Sequence, residues 1–182
     1  MERIIGAIFL AAVLVTALVL SVKTYNGLIV LRSFCAEGWS GVLAAVRRRR
    51  AAIAQALRAT APGSPEEVTL LERVRLACAG DASEWNVGEL LRAEAELAEN
   101  LPSLLALCER SPETSERMEK DEGRTSIRVP LPELSADVEM ARNYYNATAR
   151  DYNTRLGQFP ANLIGWVFRF KEAEYLESDP LS

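Results

Sequence analysis

Histidine is absent from this 182-residue chain. With it go His-based acid–base catalysis and nearly all familiar His-ligated metal sites. Cysteine is scarce, and Cys35, Cys78 and Cys108 are too few and too dispersed for a zinc site or a disulfide framework. Each falls on an apolar stripe, so three buried thiols are expected. There is no large excess of charge of one sign either. The formal net charge of −4 gives no compositional argument for nucleic acid or anionic lipid as the main partner. Gly-rich phosphate loops, nucleophile elbows and Ser/Cys–base pairs are also missing. No catalytic residue, cofactor or metal is therefore expected.

What the chain does have is a membrane-length apolar run. Ile4 through Val22 carries no charge and is dominated by Ile, Leu, Val and Ala. As a helix it is about 28 Å long, close to the thickness of a hydrocarbon core. A cleaved secretory signal is the competing reading. Against it stand a nearly neutral leading region (Glu2 against Arg3), an overlong apolar run and the poor cleavage site Leu20-Ser21-Val22. An uncleaved single-pass anchor is expected. Lys23 and Arg32 follow it with no acidic residue before Glu37, so the positive-inside bias places residues 23–182 in the cytoplasm.

Lys23 to Thr60 has no Pro and mostly alternates apolar positions three and four apart: Leu28, Leu31, Cys35, Trp39, Val42, Val46, Ile53 and Leu57. Anchor and stalk should form one helix of about 80 Å. Ala61-Pro62-Gly63-Ser64-Pro65 stops it and starts another, with Ser64 placed as the cap. The second helix is expected over 65–79 and the third from near Ser83-Glu84, interrupted by Pro102. In an antiparallel hairpin of these two helices, Cys78 and Cys108 lie too far apart for a disulfide. Residues 112–130 read as a partly ordered connection. A last helix should carry Leu131, Leu134, Val138, Ala141, Tyr145, Thr148, Tyr152 and Phe159 on one stripe, ending near Pro160. Four amphipathic helices with one stripe apiece make a bundle.

Two clusters invite function. Arg47 to Arg50 span about 300° of a helix, so they form no single basic face. They also lie too far from the membrane for unscreened attraction to headgroups, and pairing with Glu89, Glu94, Glu96 and Glu99 explains them better. Those carboxylates, lacking His, read as a solvated face rather than a metal site. The second cluster is the dipeptide Tyr-Asn, at Tyr25-Asn26, Tyr145-Asn146 and Tyr152-Asn153. Tyr145, Tyr152 and Phe159 are seven apart and form an aromatic stripe at a seam between helices. After it, Phe159 to Phe168 is strongly apolar. It reads either as a lid on the bundle core or as an interfacial or partner-binding element using Leu163, Ile164, Trp166 and Phe168.

These residues resemble the LemA family of membrane-anchored bacterial proteins. The resemblance rests on the anchor, Tyr25-Asn26, Leu28, Trp39 with Val42, and the Arg pair within Arg48–Arg50. Its clearest part is Ala141-Arg142, Tyr145-Asn146, Tyr152-Asn153 and Phe159-Pro160-Ala161-Asn162. It implies a four-helix antiparallel bundle behind one transmembrane helix, at the bacterial cytoplasmic (inner) membrane, and no catalytic residues to carry over. Ala51 and Ala54, Ser64-Pro65-Glu66-Glu67, and Pro130 with Pro132 depart from the family pattern, which implies a shorter or looser middle.

The expected architecture is all-α: a flank at 1–3, a transmembrane helix at 4–22, a four-helix bundle at 23–160, and an apolar segment with a polar tail at 161–182. The expected seam residues are Tyr25, Asn26, Trp39, Arg142, Tyr145, Asn146, Tyr152, Asn153, Phe159, Pro160 and Asn162. The function expected first is a non-enzymatic membrane-tethered scaffold or adaptor. A lipid-organising module acting through the apolar carboxy-terminal segment is the alternative, and an enzyme comes third. Expected partners are the membrane and unidentified membrane or cytoplasmic proteins, with homo-oligomerisation left open and no nucleic acid.

Overall fold

No Pro occurs before Pro62, so nothing forces the first helix to stop. It runs as α1, Glu2–Ala59. In this computed structural model residues 1–59, 62–80, 82, 85–110 and 131–176 are described. The expected connection at 112–130 and the Cys108 thiol lie outside them. The other helices are α2 (Pro65–Ala77), α3 (Val87–Arg110), α4 (Leu131–Gly157) and α5 (Ala161–Phe168). The described residues are all-α, with one long apolar amino-terminal helix and helix packing of the bundle kind.

Caps explain most boundaries. Ser64 is extended (φ −140°, ψ 159°), and its hydroxyl accepts from the Glu67 amide at 3.2 Å. Pro65 follows at the first helical position, where its missing N–H costs nothing. The start of α3 falls later than expected. Asn86 accepts from the Glu89 amide at 2.9 Å, and the Glu89 carboxylate accepts from the Asn86 amide at 2.8 Å. This reciprocal box satisfies two amide donors at the start of the helix. α3 continues through Pro102 to Arg110.

The chain divides into two compact units, residues 1–39 with 144–175 and residues 40–143 with 176–182. In the first, α1 contributes the apolar span. Its helix is long and apolar enough to cross a membrane, and the most apolar window is wholly unburied. The hydroxyls in that span are satisfied internally, Thr16 to the Ala12 carbonyl at 2.9 Å and Ser21 to the Ala17 carbonyl at 2.8 Å. Such bonds remove the donors that hydrocarbon could not solvate. Beyond the span, Thr24, Leu28, Cys35 and Gly38 are buried at three-four spacing, as are Tyr145, Ala149, Tyr152 and Leu156 on α4. A Cβ at Gly38 would stand 3.2 Å from the Tyr145 Cα, so the missing side chain lets α4 approach closely.

In the second unit the core joins Ile53 of α1, Val74 of α2, and Leu97 and Leu104 of α3, all fully or almost fully buried. Leu57, Leu71, Cys78, Leu101 and Leu131 pack around it. Val42, Val46, Leu134 and Val138 are also buried. Gly80, with φ +98°, supplies the left-handed residue that ends the α2 turn. Cys78 is a free thiol packed at the edge of this core.

Candidate functional site

Gly157 closes α4, and α5 restarts at Ala161. α5 ends in a Schellman turn: Arg169 is left-handed (φ 55°, ψ 42°), and the Phe170 amide donates to the Gly165 carbonyl at 2.9 Å. That reversal launches residues 171–176, which belong to no helix or strand. Their backbone polar groups must be satisfied elsewhere.

The Tyr-Asn motif does this within the first unit. Tyr152 donates its hydroxyl to the Lys171 carbonyl at 2.9 Å, and Tyr145 donates to the Glu174 carbonyl at 2.7 Å. Between them Asn153 makes a matched pair with one residue. Its amide donates to the Ala173 carbonyl at 2.9 Å, and its carbonyl accepts from the Ala173 amide at 2.8 Å. Asn153 thus presents the donor and acceptor that a neighbouring β-strand would have supplied. In the second unit, Arg142 donates to the Leu176 carbonyl at 3.1 Å and pairs with Glu139 at 2.8 Å. The rings of Tyr145 and Tyr152 are buried where α1 and α4 meet, but the polar groups of Tyr145, Tyr152 and Asn153 clamp residues 171–174 instead of bridging to a neighbouring helix.

Burial keeps the clamp in one protonation state. Both phenols are pushed above the ordinary tyrosine range, chiefly by desolvation, so they remain neutral donors. Cys35, buried near them, is pushed up for the same reason and stays a thiol. Nothing in this cluster is activated as a nucleophile or base.

Other expected seam residues sit differently. Trp39 packs against Tyr145, ring centroids 5.6 Å apart. Asn146 is half-buried at the edge, and Asn26 is exposed. Phe159, expected on the buried stripe, is 77% exposed. α4 has ended two residues before it, so heptad spacing no longer governs its direction; Leu156 closes the stripe instead. Pro160 precedes α5, and the exposed Asn162 accepts the Leu163 amide through its own side chain at 2.8 Å. Tyr25 leaves the seam altogether and packs on Phe168 and Phe170, at 4.7 and 5.8 Å between ring centroids. Of the apolar carboxy-terminal residues, Leu163, Trp166 and Phe168 are largely exposed and Ile164 is half-buried.

The arginine run resolves by individual residues. Arg49 and Arg50 are buried, while Arg47 and Arg48 are exposed. Arg49 forms an ion pair with Glu94, the one member of the expected acidic set that it meets. Arg50 donates to the Ala77 carbonyl at 2.9 Å and lies 4.2 Å over the Trp85 ring. Desolvation lowers its pKa, and desolvation raises that of the neighbouring Cys78. Sequence patterning gave no signal for these two burials, because a run of four charges reads as solvated.

The LemA family model matches residues 38–181, most of the chain. The chain belongs to the LemA family. The match includes every clamp residue, the segment they hold, and α5. Tyr25 and the apolar span precede it. No curated protein matches the chain.

Proposed function

We propose that this LemA protein is a non-enzymatic scaffold or adaptor. It is tethered by an uncleaved anchor to the bacterial cytoplasmic membrane, and residues 23–182 lie on the cytoplasmic side. The observation that supports this best is the use made of its polar side chains. Tyr145, Tyr152, Asn153 and Arg142 all hold backbone carbonyls of the segment 171–176, and burial keeps the phenols neutral. They stabilise a shape, which is what a binding platform needs.

Within the second unit, the apolar Leu76 on α2 and Met140 on α4 are about 70% exposed. Photocrosslinkers placed singly at Leu76, Met140 and the exposed polar Arg92 would be activated in intact membranes. A scaffold gives a discrete crosslinked protein from an apolar position and none from Arg92. Equal, diffuse crosslinking from all three positions, or none, would count against it. So would a turnover abolished by one substitution that leaves folding intact.

A further inference from the structure

The surface of α5 is unusual for a helix joined to a packed core. Ala161 and Gly165 form its inner face, where a Cβ on Gly165 would collide with the Leu156 Cδ1 methyl. The outer face carries Leu163, Trp166 and Val167 at 55%, 81% and 61% exposure, spaced i, i+3, i+4. Water is a poor solvent for such a face.

The ring contacts fix what else is near. Phe168 packs on Tyr25, and Tyr25 lies three residues beyond Val22, the end of the uncharged run. Three residues of helix are about 4.5 Å. The interfacial layer on each side of the hydrocarbon is about 5–8 Å deep. Within this one unit, the Phe168 end of α5 is therefore held at headgroup depth once α1 spans a bilayer. Trp is the side chain most suited to that layer, with an apolar body and one polar N–H.

Cations border this face, with the exposed Glu172 and Glu174 following Lys171 along the chain. Lys23, Arg169 and Lys171 are all exposed, and Arg169 and Lys171 border an open depression with Trp166, Val167 and Phe170. Arg169 occupies a left-handed conformation that Gly would adopt without strain. A strained non-glycine residue points to a task for its side chain.

We propose that α5 lies in the headgroup layer of the membrane that α1 spans, with Leu163, Trp166 and Val167 against lipid and Arg169 and Lys171 against anionic headgroups. This rests on the anchored reading of α1. It makes the carboxy-terminal helix a second membrane contact, fixing the tilt and rotation of the unit above the bilayer.

The test uses the full chain reconstituted in phosphatidylcholine vesicles, with and without phosphatidylglycerol. The emission lost in Trp166→Phe isolates Trp166 from Trp39 and Trp85; at 81% exposure, its replacement leaves the fold intact. Lipids brominated near the headgroup end of the acyl chain should lower the Trp166 component by about half, while aqueous iodide leaves it unchanged. Phosphatidylglycerol should deepen the effect, and Arg169→Gln with Lys171→Gln should remove that increment. Iodide quenching without bromolipid quenching would overturn the proposal, and so would protection from both, which signals a protein cover. An anionic increment that survives the double change would remove the role of the two cations. Alkaline extraction is run alongside: release of the chain sinks the anchor and this proposal together, whereas retention with iodide quenching sinks the proposal alone.

Discussion

At the residue scale, one asparagine does what a strand edge normally does. Asn153 both donates to and accepts from Ala173, and two tyrosine hydroxyls flank that pair. Removing the Tyr152 hydroxyl alone, in Tyr152→Phe, should cost about 1 kcal/mol, the usual net worth of one hydrogen bond. Tyr152→Ala also empties a site that is 2% exposed and should cost about 3–5 kcal/mol. Asn153→Ala should fall between them, with faster hydrogen exchange at the Ala173 amide as its local signature. Urea midpoints rank the three; equal midpoints would mean that the clamp holds nothing. The phenols add a pH dependence. Burial raises their folded-state pKa above the unfolded value, so the folded state binds those protons more tightly. Their contribution is complete below the ordinary tyrosine pKa of about 10 and is lost as pH rises through the folded value. The urea midpoint should therefore fall on the alkaline side, and Tyr145→Phe with Tyr152→Phe should flatten that fall.

At the element scale, legibility in the sequence followed the reach of the forces. Helix α1, the Ser64 cap and the stripe Leu134, Val138, Tyr145, Tyr152 were readable, because period and capping act over a few residues. Phe159 was misplaced because the same periodicity was carried past the end of its helix. The segment 171–176 has no period, and its order comes from side chains 19 to 29 residues away for the tyrosine contacts. Nothing local announces that. The Arg49–Glu94 pair was half readable: the partner helix was right, but charges were expected in solvent, and their side chains are 8% and 14% exposed. Arg49 Nε and Glu94 Oε1 are buried without a hydrogen-bond partner among the described residues. A pair so desolvated has little net stability to offer but is costly to break. Glu94→Ala should destabilise the second unit by about 3–5 kcal/mol, whereas Arg49→Met with Glu94→Leu should be neutral or stabilising. Thermal unfolding of the single and double variants separates these; equal losses in both would show that the pair stabilises the unit.

At the scale of the whole molecule, orientation turns on very few charges. Arg3 precedes the apolar run, and Lys23 and Arg32 follow it before the next acidic residue, Glu37. Positive residues near the ends of a span, rather than net charge, set its direction. The short leading segment should therefore lie outside and the bundle inside. α3 offers a reporter, because Ser103 is exposed and the native Cys35 is buried. Ser103→Cys, with Cys35, Cys78 and Cys108 changed to Ala, should react with a membrane-impermeant maleimide only after the inner membrane is broken. The margin is narrow, so it should also be reversible. Replacing Lys23 and Arg32 by Gln and Glu2 by Arg leaves the apolar run intact while moving the positive excess to its other end. A population labelled without lysis should then appear. If the parent were labelled in unbroken cells, the bundle would lie outside. If the charge-swapped chain stayed fully protected, orientation would be set by folding of the bundle before insertion, and not by its flanking charges.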